Sequence, residues 1–253
     1  GVVLTDEGRL LYDHVSEAFE ALNEGEEKLK RSIELGVGQL KIGVSSTLCK
    51  YMLLPYLKEF IHRNPHISIS IECQSTNETL KLLDDDKIDI GLIGKPASLK
   101  TFNFYYLDNI EDIFVTTKDY LRNLSARGVK KSEILQNSTL MLLDKGNMTR
   151  KYIDDYLQEN QIHVKDSIDI SNMDLLIDFA KIGVGVACVI KSIVSKELAD
   201  GTLIEIPLGI PIHKREVGFA YKESSKLSTS LQTFIKFYES YTPAVSYTHL
   251  RAH

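Results

Sequence analysis

Residues 39–45 read QLKIGVS, residues 67–73 read ISISIEC and residues 88–93 read IDIGLI. The second segment alternates apolar and polar residues, and the third is an almost continuous apolar run of the kind found in buried parallel strands. We interpret all three as β-strands. Their spacing leaves room for a helix in each interval, which predicts a β-α-β-α-β unit built on a parallel sheet.

The two intervals between these strands have helical character. Residues 48–63 and residues 77–83 each carry apolar side chains at helical spacing. Pro55 lies inside the first of these segments, and a proline there removes the hydrogen bond to the carbonyl of Tyr51. We therefore expect a helix over 48–63 that is kinked at Pro55.

The same order of elements returns at an interval of 98 residues. Three strand positions and their counterparts at this interval are Ile42 and Leu140, Ile69 and Ser167, and Ile90 and Cys188. The second copy has predicted strands at 139–143, 167–170 and 186–190 and predicted helices at 149–159 and 173–181. Two copies of one unit predict two similar lobes.

The remaining segments connect and close the lobes. Residues 102–117 and 214–221 have the composition of extended segments, and we expect them to cross between the lobes. Residues 227–238 carry apolar side chains at helical spacing and predict a closing helix. The predicted first lobe comprises residues 38–110 and 219–241, and the predicted second lobe comprises residues 111–218.

The amino-terminal segment differs from the rest in pattern. Thr5 is a suitable N-cap for a helix whose first turn carries Asp6 and Glu7, where the helix dipole favours acids. Apolar and small residues then recur at steps of three and four, at Leu11, Val15, Ala18, Leu22, Gly25 and Leu29. This spacing is typical of a helix that pairs with a second copy, and the alternative is a helix that lies on its own domain.

Composition excludes several classes of protein. The chain has a net charge of −5, which gives it no overall attraction to nucleic acid, and three widely spaced cysteines, which exclude a disulfide framework. No apolar run approaches the ~20 residues of a membrane span and no signal peptide is visible. We therefore expect a cytoplasmic location and no membrane partner.

The sequence offers little for catalysis. Residues 43–47 do not form the G-x-S-x-G turn of a serine hydrolase. His62 and His66 are four residues apart, but Pro65 interrupts the helix that would align them on a metal. We expect no enzymatic activity, no metal site and no cofactor.

Five motifs in order resemble those of LysR-type transcriptional regulators. LTDEGRLL at 4–11 resembles the junction between the winged helix-turn-helix and the linker helix, and GQLKIG at 38–43 resembles the start of the effector domain. Further similar motifs are LLPYLKEF at 53–60 with Asn64–Pro65, DIGLIG at 89–94 and GVGVA at 183–187. The resemblance covers residues 2–241.

The resemblance implies a fold and a domain order. It implies an α/β fold, namely a two-lobed effector domain like the type 2 periplasmic binding proteins, preceded by a long linker helix. The implied domains are a helix-turn-helix remnant at 1–5, a linker and dimerisation helix at 6–36 and an effector-binding domain at 37–243. Residues 245–253 (VSYTHLRAH) match no family element and are expected to be a non-native tail, with a natural disordered tail as the alternative.

The resemblance also implies partners. Effector domains of this family pair side by side, so that helix 48–63 and strand 67–73 of one copy would meet helix 149–160 and strand 166–170 of the other in a dimer or tetramer. The recognition helix that reads DNA bases does not appear in this sequence. We therefore expect promoter DNA to be a partner of the intact protein only.

A candidate effector site follows from the predicted topology, because ligands of such folds bind between the lobes at the carboxyl ends of strands. Helix starts and hydroxyl groups at these positions favour anions, so a carboxylate is the expected effector, with Lys95 and Arg150 as possible sources of positive charge. The candidate residues are Ser45, Ser46, Thr47, Ser75, Thr76, Gly94, Lys95, Asn147, Met148, Thr149 and Ile190. The simpler interpretation is that each Ser, Thr or Asn is only a helix cap.

The competing function is that of a solute-binding protein of a transporter, which uses the same two-lobed architecture. Such a protein needs an export signal and has no use for the amino-terminal helix.

Overall fold

The structure is a computed structural model, and it describes residues 3–34, 38–96, 98, 101–223 and 227–241. Helix α1 spans Asp6–Glu34, and the backbone amide of Gly8 donates to Thr5 Oγ1 at 3.1 Å, as expected of an N-cap. Apolar side chains of this helix are exposed, including Leu11 at 66% and Leu22 at 68%. The prediction of a long helix is confirmed, whereas its pairing with a second copy stays a prediction.

The elements after α1 alternate as the sequence predicts. The strands are β1 Gly38–Val44, β2 Ile67–Cys73, β3 Ile90–Gly94, β4 Phe102–Ile110, β5 Asp112–Thr116, β6 Thr139–Leu143, β7 Asp166–Ile170, β8 Val186–Ile190, β9 Ile204–Glu205 and β10 Arg215–Lys222. The helices are α2 Ser46–Leu48, α3 Leu54–Arg63, α4 Thr76–Asp84, α5 Lys118–Ala126, α6 Ile134–Asn137, α7 Met148–Glu159, α8 Met173–Lys181, α9 Ser195–Asp200 and α10 Thr229–Ser240. A 3₁₀ turn at Lys131–Glu133 precedes α6.

The strands form two five-stranded mixed sheets. The first has the order β2-β1-β3-β10-β4, and the second has the order β7-β6-β8-β5-β9. In each sheet the three strands of the repeated unit run parallel, and the strand that follows them in the sheet is antiparallel. The predicted α/β fold with two similar halves is confirmed.

The first long helix differs from its prediction. A π-helical turn over Cys49–Leu53 joins α2 to α3, and the amide of Leu54 donates to the carbonyl of Cys49, five residues back. Pro55 therefore lies within the first turn of α3, where a missing N–H costs little. The irregular π-helical turn therefore ends at Leu53, two residues before Pro55.

Strand β10 corresponds to the extended segment predicted at 214–221. It pairs with β4 from its first residue, Arg215, and with β3 from Val217. The predicted lobe boundary between residues 218 and 219 therefore lies inside one strand of the first sheet. A β-bulge between Val217 and Gly218 shifts its register with β4. The assignment of residue ranges to domains stays a prediction, and residues 245–253 lie outside the described residues.

The GVGVA motif has a steric basis. Gly183 has a φ of +78°, and a Cβ on Gly185 would lie 2.2 Å from the carbonyl oxygen of Thr139. The first position requires a left-handed turn and the second requires close approach of β8 to β6.

Among the described residues, no helix combines the length and apolar character that a membrane crossing requires.

A buried ion pair joins the two sheets. The Arg215 guanidinium, at the start of β10, donates from Nε and Nη2 to the two carboxylate oxygens of Asp112 at 2.8 and 2.9 Å. Asp112 opens β5 in the second sheet, and its side chain is fully buried. Burial raises the pKa of Asp112, and the positive charge of Arg215 opposes that rise. The pair therefore connects the lobes at the point where the chain crosses between them.

Replacing Arg215 with Met should destabilise the protein by about 3–5 kcal/mol, because it leaves the Asp112 carboxylate buried without its partner. The pKa of Asp112 should then rise further, so the folded state binds a proton that the unfolded state has released. Stability of the variant should fall as pH rises above the ordinary Asp pKa of about 3.9. Urea unfolding at pH 5 and pH 8 measures both effects.

The double variant Asp112→Asn with Arg215→Met is the control for this prediction. It removes the buried charge along with its partner, so part of the lost stability should return and the added pH dependence should vanish. A single variant that is as stable as the unchanged protein at both pH values would show that the pair does not hold the lobes together.

Candidate functional site

A cavity of about 470 Å³ lies between the two sheets, at the carboxyl ends of their parallel strands. Its volume falls in the range of small-molecule sites. It is lined by Ser45, Thr47, Leu48, Ser75, Thr76, Gly94, Lys95, Pro96, Ile110, Asn147, Met148, Thr149, Tyr152, Ile190, Lys214, Arg215 and Glu216. Ten of the eleven residues chosen from the sequence are in this set, so the topology brings segments from both copies of the repeat to one place.

Three of the polar residues cap helices as well as lining the cavity. Ser45 Oγ accepts from the amide of Leu48 and Ser75 Oγ accepts from the amide of Glu78, both at 3.3 Å. Asn147 Oδ1 accepts from the amide of Thr149 at 2.8 Å. The capping interpretation is correct for these three residues. Their helices α2, α4 and α7 therefore all begin at the cavity wall, where first-turn amides favour negative charge.

Ser46 is the one candidate that the structure does not bring to the cavity. It is exposed and absent from the cavity wall, whereas Thr47 lies in that wall. The two residues are adjacent in a helical turn, and successive side chains of a helix point about 100° apart. Helix rotation therefore separates them.

Arg150 does not supply charge to the cavity either. Its side chain is 7% exposed and donates from Nε to Asp154 Oδ1 at 2.8 Å and from Nη1 to the carbonyl of Leu143 at 2.9 Å. Nη1 also donates to Asp169 on β7. Arg150 thus connects α7 to the ends of β6 and β7. The prediction that it supplies positive charge to the cavity is wrong.

Seven further residues line the cavity and were not expected from the sequence: Leu48, Pro96, Ile110, Tyr152, Lys214, Arg215 and Glu216. The last three form a charged run at the second crossing between the lobes. A crossing borders the cleft between lobes, so this run was a usable signal. The sequence alone could not show which carboxylate each of its cations contacts.

Arg215 is the central polar group of the cavity. Besides Asp112 it contacts α7, because its Nη2 lies 3.2 Å from Thr149 Oγ1 and its guanidinium carbon lies 5.2 Å from the centre of the Tyr152 ring. The guanidinium therefore stacks on one wall residue and bonds another. This network fixes Thr149 and Tyr152 relative to the first sheet.

The other cavity cations also have partners. Lys214 Nζ lies 3.1 Å from Glu111, and Lys95 Nζ contacts Glu216. Burial raises the pKa of Glu111, but hydrogen bonds from Lys214 and Lys191 outweigh this effect and hold the pKa below its usual value. The cavity is therefore polar, with each of its positive side chains compensated by a carboxylate of the chain.

Gly94 provides free space in the cavity. A Cβ built on this residue meets no heavy atom within 4 Å, although Gly94 ends the buried strand β3. In the described part of the chain, the cavity included, no group of three or more His, Cys, Asp or Glu side chains is placed to hold a metal ion. What the cavity offers chemically is hydrogen bonding and charge recognition.

Comparison with known proteins places the chain among transcriptional regulators. Residues 34–242 match the family described as "LysR substrate binding domain". The chain is 23% identical over 237 residues to the "Uncharacterized HTH-type transcriptional regulator YeiE" of Escherichia coli (strain K12), covering 93% of this chain and 78% of that protein. This match supports a regulator over the solute-binding protein of a transporter.

Two solved structures share the fold. One is the Synechocystis PCC6803 CcmR regulatory domain in complex with 2-PG, with a TM-score of 0.66, 19% identity and coverage of 79% of this chain and 95% of that one. The other is the effector binding domain of QuiR in complex with shikimate, with a TM-score of 0.63, 16% identity and coverage of 79% and 94%. With most of its length matched by the family, the chain belongs to the LysR family of transcriptional regulators.

Proposed function

We propose that the cavity between the two sheets is the effector site of this regulator and that its effector is a small anionic metabolite. The observation that carries this proposal is the convergence of helices α2, α4 and α7 on one cavity, with polar wall residues from both halves of the chain. The solved relatives hold 2-PG and shikimate. Shikimate is a carboxylate, which fits a site with three helix starts.

A ligand at this position touches both lobes. Ser45 and Ser75 belong to the first half of the chain, and Asn147 and Thr149 belong to the second. The ligand changes the relative arrangement of the lobes only if it binds one arrangement better than the other. A tenfold preference corresponds to about 1.4 kcal/mol, and complete switching requires more. We infer that this shift is what alters transcription when the intact protein is bound to promoter DNA.

We also infer where and how the protein acts: it is located in the cytoplasm, it is a regulator without enzymatic activity, and it associates with itself. The family supports the first two points. The outer strands β2 and β7 support the third, because among the described residues each leaves one edge of its sheet unpaired.

Filling the cavity should abolish effector binding. Gly94→Leu places a side chain in space that is open in the structure, so the variant should fold normally and lose more than about tenfold in affinity. Calorimetric titration with a panel of metabolite carboxylates measures the loss. Gly209→Leu is the matched control, because Gly209 also has open space around its Cβ position and does not line this cavity. Equal binding by both variants would place the effector elsewhere.

Adjacent residues of α2 should differ in their effect on binding. Thr47→Ala removes a hydroxyl from the cavity wall and should cost about ten- to a hundredfold in affinity for an anionic effector, the worth of a hydrogen bond to a charged group. Ser46→Ala removes a hydroxyl that faces away, so affinity should not change. The same titrations test both variants. Loss of affinity in Ser46→Ala alone would contradict the observed orientation of this helix.

Self-association should not require helix α1. Residues 36–243 alone should sediment as a dimer at tens of micromolar, because the outer strands β2 and β7 carry the exposed apolar side chains Ile71 and Ile168. Ile71→Asp should shift this species toward the monomer, since a charge would be buried at the contact. Ile210→Asp, at an exposed position outside both strands, is the control. A monomer for the unchanged fragment would refute this association.

A further inference from the structure

The three cations of the cavity wall are not held equally by their carboxylate partners. Asp112 is fully buried, and both of its oxygens accept from Arg215. Glu111 contacts two lysines, Lys214 at 3.1 Å and Lys191 at 3.3 Å. Neither Asp112 nor Glu111 lines the cavity itself. Displacing Asp112 from Arg215 would leave a fully buried carboxylate without its cation.

The third pair has a different character. Lys95 and Glu216 both line the cavity, and their side chains are 46% and 43% exposed. Within the described part of the chain, Lys95 is the one cation paired with Glu216. Ion pairs exposed to this degree are weak, since water and salt screen them. The Lys214–Glu111 pair is exposed to a similar degree, at 61% and 33%, but of the three carboxylates only Glu216 lines the cavity. Glu216 is therefore the carboxylate that a ligand in the cavity meets directly and that can leave its cation at small cost.

The surroundings allow the Glu216 side chain to move without disturbing the sheet. The amide of Lys95 donates to the carbonyl of Glu216 at 2.8 Å, so the two strands stay joined through their backbones. Lys95 Nζ also lies 5.5 Å from the centre of the Phe104 ring, a contact that keeps the ammonium in place. Gly94, the residue before Lys95, leaves open space beside it. A ligand group has room to approach the lysine.

We propose that Glu216 is a built-in competitor for the effector: its carboxylate neutralises Lys95, and the anionic group of the effector displaces it from Lys95. The proposal rests on the proposed function, since it assigns one subsite within the same cavity. It makes Lys95 a specificity-determining residue. A neutral ligand cannot replace the lost ion pair, whereas an anion that reaches Lys95 restores its compensation.

The test uses inorganic phosphate as the probe, titrated calorimetrically into the 253-residue chain at constant ionic strength. Glu216→Gln removes the competing charge and should raise phosphate affinity about three- to tenfold. Lys95→Gln should lower it about tenfold by removing a charge-assisted hydrogen bond. The double variant should bind no better than Lys95→Gln, because the competition acts through the lysine.

Asp86→Asn is the matched control. It removes a carboxylate from the ion pair with Lys222, at the other end of β10 and outside the cavity wall. If Glu216→Gln binds phosphate no more tightly than Asp86→Asn, or if it gains affinity equally when Lys95 is replaced, the competitor role is wrong. The Gly94→Leu variant separates this failure from that of the proposed function: phosphate binding that survives the filled cavity overturns the effector site itself.

Discussion

A buried carboxylate needs a cation, and in this protein the cation comes from the other sheet. Asp112 opens the second sheet and Arg215 opens the strand that returns to the first, so neither lobe can satisfy its part of the pair alone. The guanidinium then fixes Thr149 and Tyr152 through a hydrogen bond and a stacked ring. The shape of the cavity wall, the start of α7 and the crossing between lobes all depend on this contact.

The positive side chains of the cavity are balanced by carboxylates of the same chain, and this balance determines which ligands the cavity can bind. An empty cleft with several uncompensated lysines and arginines would attract any anion and repel its own lobes. Internal pairing removes that general attraction and leaves recognition to the helix starts, to geometry and to an anion that can take the place of Glu216 at Lys95. An effector must therefore match the positions of the donors, because net charge alone gains little in a compensated site.

Apolar periodicity was sufficient to predict the fold, since the two copies of the unit repeat their apolar pattern with the same spacing. It also predicted most of the cavity wall, because strand ends and helix starts converge in such folds. It failed where rotation within one turn decides orientation, as for Ser46 and Arg150. It failed again at the pairs that Arg215 and Glu216 form, since pairing between residues 103 and 121 positions apart leaves no local pattern.

The bulge at Val217–Gly218 lies directly after the charged run of β10. Side chains of a strand alternate between its faces, so a change of one residue in length exchanges which face each side chain occupies. If Glu216 were lost while the strand beyond the bulge kept its pairing, Lys214 would take the position of Arg215, and the arginine would turn to the other face, away from buried Asp112. The buried pair therefore fixes the length of this stretch as strictly as it fixes Arg215 itself, whereas Lys214 and Glu216, whose partners are partly exposed, are held less strictly.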